Sequence, residues 1–93
     1  MKTWDEYKDY VKSIDKESKN ELEQIEAIAS IVGEIVRQRK TLGISQRELA
    51  RLCGIPQSSV ARIESLKTTP NLDTLVKITN SLGLEIKISS IAN

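Results

Sequence analysis

Apolar residues along this 93-residue chain fall into five stretches of helical spacing, followed by one short stretch that alternates. Trp4, Tyr7, Val11 and Ile14 recur at three- and four-residue steps behind a Thr3/Glu6 capping box, which predicts an amphipathic helix over residues 4–14. A polar break at 15–18 ends on Ser18, which with Glu21 forms a second capping box. From there Leu22, Ile25, Ile28, Val32, Ile35 and Val36 make the apolar stripe of a long helix reaching about Thr41, stopped at Gly43. Ser45 with Glu48 opens a short helix that Gly54 ends. A second short helix follows Pro56, from Gln57 to about Glu64, because proline suits a first helical turn and has no amide to leave unpaired. After the "SLKTTP" loop, Asn71 caps a helix whose stripe is Leu72, Leu75, Val76, Ile78, Thr79 and Leu82, with Gly83 at its end.

From Leu84 the period drops from about 3.6 to 2. Leu84, Ile86 and Ile88 alternate with Glu85, Lys87 and Ser89, which predicts a short β-strand. A lone strand leaves a row of backbone groups unpaired, so residues 84–93 read either as an association element or as an extended end laid on the helices. The expected organisation is an N-terminal helical extension at 1–18, a helical domain at 19–83 and the strand or tail at 84–93.

Totals narrow the class of function. The length suits one small domain with a modest core, and small cores favour a permanent partner or self-association. No run is long and apolar enough to cross a membrane, and the start lacks the apolar core of a secretion signal, so a cytoplasmic location is expected. With no histidine and a single cysteine, Cys53, no metal, cofactor or catalytic cluster is expected, and the protein is not read as an enzyme. Cys53 itself reads as a small core residue. The formal net charge of +1 conceals an uneven distribution. Residues 1–33 hold five lysines against eight carboxylates, whereas residues 37–67 hold seven basic groups against two acidic ones. That basic stretch is either a solvated helix face or an attractor for phosphate.

Two short helices joined by a tight turn need small or apolar residues where they cross. In "SQRELARLCGIPQSSVARIES", Leu49 and Ala50 fall on the inner face of the first helix, Gly54 permits the turn and Ile55 plugs the corner. Val60 and Ile63 anchor the second helix inward, leaving Gln57, Ser58, Ala61 and Arg62 outward with Ser59 at the flank. A helix in the major groove reads bases from such positions, glutamine pairing with adenine and arginine with guanine through two hydrogen bonds each. Arg47 and Arg51 read mainly as solvated charges.

Residues 29–83, with "GISQRELARLCGIPQSSVARIE" continuing into "PNLDTLVKITNSLG", resemble the helix-turn-helix domain of lambda-repressor and Cro-like regulators, the Xre family. The resemblance implies an all-α, five-helix lambda-repressor-like fold, here with the N-terminal helical extension and the short C-terminal β-strand. It implies that Gln57, Ser58, Ser59 and Arg62 contact DNA bases or phosphates, and that Gln46, Lys67 and Thr68 hold phosphates. It also implies a structural ion pair between Arg39 and Glu64. Two positions depart from the family pattern: Pro56 stands where a serine or threonine often caps the second helix, and Leu66 where a glycine commonly follows it.

All three aromatic residues, Trp4, Tyr7 and Tyr10, lie in the acidic first ten positions. They either cover the domain's apolar flank or form a binding surface for a basic partner. The layout is similar to HigA-type antitoxins, which implies a toxin of the HigB or RelE-like kind as partner and Trp4, Tyr7 and Tyr10 as its contacts. It further implies a homodimer on palindromic double-stranded operator DNA, repressing its own operon in a bacterial, nucleoid-associated setting. The alternatives are a repressor of the same fold without a toxin, and a helix-turn-helix module that docks a protein and not DNA.

Overall fold

A computed structural model describes residues 16–91 together with Glu6. Its helices are α1 (Lys16–Thr41), α2 (Gln46–Cys53), α3 (Gln57–Glu64) and α4 (Leu72–Ser81). The chain divides into two compact units, Met1–Ser30 and Ile31–Asn93, and the second holds the helix-turn-helix segment. Five helices and a strand were expected; the described residues hold four helices and no strand. Of the helix expected at 4–14 only Glu6, itself helical, is described; Trp4, Tyr7 and Tyr10 lie outside the described residues.

Within the second unit the core is aliphatic. Val32 and Ile35 of α1, Leu49, Ala50 and Cys53 of α2, Val60 and Ile63 of α3, and Ile78 and Leu82 at α4 are buried. The side chains are small or branched at the crossing of α2 and α3, so two helices of eight residues each pack at close range. Helices this short are marginal in water on propensity alone, so the shared core holds them. The buried Thr79 hydroxyl turns back on its own helix and donates to the Leu75 and Val76 carbonyls, both at 3.1 Å. The Gln38 amide donates to the Leu82 carbonyl at 3.0 Å, so a side chain of α1 satisfies an end group of α4.

Two sequence expectations about α1 are corrected. The helix already includes Lys16, Glu17 and Ser18, so Ser18 lies within it and is not its cap. Lysine and glutamate favour helix, and one serine in the first turn is tolerated there. Leu22 and Ile25, assigned to the core stripe, are 56% and 59% exposed. On α4, Leu72 and Val76 are exposed as well, since helical periodicity marks an apolar face but not how much of it finds a partner.

The expected C-terminal strand is absent among the described residues. The Leu84 amide donates to the Thr79 carbonyl at 2.8 Å and closes the end of α4, after which the tail carries no β-ladder. A ladder needs a second strand, and none lies among the described residues. Alternation was legible; pairing was not.

Leu66 shows how the helix end departs from the family pattern. Its φ of 62° makes it the positive-φ residue other than glycine among the described residues. The Lys67 amide reaches back to the Arg62 carbonyl at 2.9 Å, the same closure that Ile55 makes to Ala50 after Gly54. A side chain in this left-handed region costs about 1–2 kcal/mol, whereas a glycine's greater freedom when unfolded costs about 0.5–1 kcal/mol. Leu66→Gly is therefore expected to stabilise the protein by up to about 1 kcal/mol, and the β-branched Leu66→Val to destabilise it by about 1 kcal/mol. Urea unfolding of both variants checks this, and a Gly variant less stable than the Val variant contradicts it.

Candidate nucleic-acid interface

The Ser45 hydroxyl accepts from the Glu48 amide at 3.0 Å and starts α2. Gly54, at φ 68°, reverses the chain: its own amide and that of Ile55 bond back to α2 carbonyls, a turn that needs the left-handed conformation. Helix α3 then begins at Pro56, which has φ −64° and ψ 147° and makes no side-chain cap. The Pro56 carbonyl accepts from the Ser59 amide at 3.0 Å. The ring holds the entry angle that a capping hydroxyl would otherwise help to hold, by restricting the unfolded chain.

Val60 and Ile63 face inward, so the rest of α3 is sorted by geometry. Gln57, Ser58 and Arg62 are exposed on the outer face, with Ser59 and Ala61 half-buried beside them. Lys67 is exposed and Thr68 half-buried in the loop that follows. Ser59, Arg62 and Thr68 line one shallow depression, together with Ile55, Pro56 and Thr74. Thr74, at the start of α4, escaped the sequence reading because only the return of the loop brings it beside α3.

Behind this face lies a buried polar cluster. Arg39 donates to Glu64 through Nε at 2.6 Å and through Nη2 at 2.8 Å, a two-point pair with both side chains nearly inaccessible. Arg39 Nη1 also donates to the Ile44 carbonyl at 2.9 Å. Gln46 Nε2 donates to Glu64 Oε1 at 2.9 Å. One guanidinium thus joins the end of α1, the loop before α2 and the last residue of α3. Gln46, assigned by resemblance to phosphate, has its amide turned into this cluster, a contact that spacing alone does not reveal. Both Glu64 oxygens therefore accept a hydrogen bond, Oε2 from Arg39 and Oε1 from Arg39 and Gln46.

Burial alone would push the Glu64 carboxyl upward, but hydrogen bonds from Arg39 and Gln46 and the charges of Arg39 and Lys40 hold it below the usual carboxylate range. The hydrogen bond to Glu64 raises Arg39 above its ordinary value against the opposing effect of burial. Other basic groups are partnered on the surface: Arg37 with Glu34, and Arg51 with Glu48. Arg47, Arg62 and Lys67 make no ion pair among the described residues. The unneutralised positive charge near α3 is therefore smaller than the count of basic residues suggests, and Arg62 and Lys67 flank its exposed face.

Two short helices crossing at a glycine turn, the second buried along one side and polar along the other, define a helix-turn-helix domain. The chain belongs to the Xre-like helix-turn-helix family, whose helix-turn-helix description matches residues 35–88. It is 35% identical over 71 residues to an uncharacterized HTH-type transcriptional regulator of Haemophilus influenzae, covering 76% of this chain and 72% of that relative. No solved structure matches the chain. Among the described residues, no cluster suited to a metal ion is present and no helix is long and apolar enough to cross a membrane.

The ion pair sets a pH dependence whose sign follows from Glu64. Its folded pKa is depressed, so the stability it contributes is complete above the unfolded carboxyl value of about 4.3 and is lost as pH falls through the lower folded value. The difference in stability between wild type and Glu64→Gln is expected to shrink as pH falls from about 6 to 3. Arg39→Met, which strands a buried carboxylate, should cost about 3–5 kcal/mol at pH 7. Denaturant melts across pH measure both, and a constant wild-type advantage over Glu64→Gln would refute the pairing's role.

Proposed function

We propose that this protein is a sequence-specific DNA-binding repressor that acts as a two-fold dimer on a palindromic operator and catalyses nothing. The observation that carries the reading is the outer face of α3, where Gln57, Ser58 and Arg62 are exposed on a helix locked from behind by Arg39, Glu64 and Gln46. With α3 in the major groove, Arg62 and Gln57 read base edges, and Ser58 and Ser59 donate to a base or a phosphate. Lys67, Thr68 and the second amide hydrogen of Gln46 hold phosphates and set the register. The similarity to the Haemophilus influenzae protein named as an HTH-type transcriptional regulator supports the same reading. Such a protein works in the cytoplasm, at the nucleoid.

The finer part of the proposal is that the repressor neutralises a small basic toxin of the HigB or RelE-like kind. Leu22 and Ile25 stand exposed on α1 among Glu21, Glu23 and Glu26, an apolar and acidic strip that suits a basic protein partner. Trp4, Tyr7 and Tyr10 are the aromatic contacts proposed for the same partner.

Arg62→Ala and Gln57→Ala are expected to cost about 1–3 kcal/mol at particular base pairs, whereas Lys67→Ala weakens binding to all sequences alike. Fluorescence anisotropy on a duplex selected from a random pool, beside an unrelated duplex, measures the difference. Equal loss on both duplexes for Arg62→Ala would contradict base reading. Affinity on the selected duplex should fall steeply with salt, because released counterions supply much of the binding.

A further inference from the structure

The tail after α4 has the composition of a strand and, among the described residues, no strand beside it. Among the described residues, Glu85, Ile86, Lys87 and Ile88 make no backbone hydrogen bond. Glu85 and Lys87, two residues apart, meet at 3.0 Å, as side chains on one face of an extended segment do. Leu84 and Ile86 border an open, mainly apolar cavity of about 330 Å³ with Ile31, Ile35, Leu75 and Thr79. Ile86 remains 44% exposed and Ile88 98% exposed.

We propose that residues 84–88 pair antiparallel with the same residues of a second copy, forming a two-stranded ribbon across the dimer axis centred on Ile86. The inference rests on the dimer of the preceding section and names the surface that makes it. Charge selects the register. Centring on Ile86 sets Glu85 opposite Lys87 of the second copy and Lys87 opposite its Glu85, while Leu84 faces Ile88 and Ile86 faces Ile86. Centring on Glu85 or Lys87 opposes like charges, and an in-register parallel pair sets Glu85 beside Glu85 and Lys87 beside Lys87. Shifting by one residue puts apolar side chains opposite charged ones. In the favoured register the exposed Ile88 of one copy arrives beside Leu84 of the other, at the edge of the apolar cavity. The backbone groups left unpaired in one chain find partners in the next, which answers the liability of a free edge.

Sedimentation equilibrium of the full chain without DNA tests the pairing apart from DNA recognition. The wild type is expected to sediment as a dimer. Glu85→Lys, which sets lysine opposite lysine at two positions, should weaken the dimer about tenfold or more, and Glu85→Lys with Lys87→Glu should restore it. Circular dichroism checks that each variant keeps its helices. A monomeric wild type, a dimer indifferent to Glu85→Lys, or a double variant that fails to restore association would each overturn the proposal. Anisotropy on the selected duplex is read alongside: a dimer that survives in every variant while base-specific binding persists removes the ribbon and leaves the repressor reading intact.

Discussion

Helix α3 is eight residues long and follows a proline N-cap that offers no capping side chain, so by itself it has neither the length nor the end groups to hold a direction. Its orientation comes from two constraints acting on the inner face of its last turn, where Glu64 lies one turn beyond Val60 and beside Ile63. Val60 and Ile63 are buried against the other helices, and Glu64 is held by Arg39 and Gln46. The ion pair is the costlier of the two to assemble, because both charges leave water, and the two-point geometry together with the Gln46 and Ile44 contacts offsets that cost. What such a cluster contributes is direction: apolar packing tolerates sliding, whereas a fork of hydrogen bonds between α1, α2 and α3 does not. A surface that reads base edges depends on that, since a small rotation of α3 would turn Gln57 and Arg62 away from a common plane.

The same economy of groups explains how charge is used around this face. Arg39 carries a positive charge but is neutralised inside the domain, and Arg51 is engaged with Glu48. Arg62 and Lys67 are left to flank the exposed side of α3, one on the helix and one on the loop that follows its strained end at Leu66. That loop also brings Thr68 and Thr74 to the depression beside Arg62. Position, more than the number of basic residues, sets the character of the face.

Much of the domain was legible before any coordinates. Gly54, Ala50, Val60 and Ile63 mark a helix-turn-helix because each answers a steric demand local to the crossing, and Ser45 and Asn71 cap their helices through bonds that span three residues. Periodicity overreached where burial depends on a partner. Leu22, Ile25 and Leu72 carry the right spacing and stay exposed, and residues 84–89 alternate like a strand with no strand to join among the described residues. Gln46 was placed with the phosphates by resemblance, while its amide is bonded to Glu64.

From the sequence alone came the elements that short-range chemistry decides: helix starts at capping residues, a turn at glycine, an inner and an outer face on α3, and the family to which they belong. The tertiary structure alone decided which charges cancel, that Gln38 closes the end of α4, that Leu66 accepts a left-handed conformation, and that the backbone of residues 85–88 finds no partner among the described residues. The division follows from range. Caps and periodicity act within one or two turns and leave their mark in neighbouring letters, whereas the bond between Arg39 and Glu64 joins residues 25 positions apart and exists only once the core has brought them together.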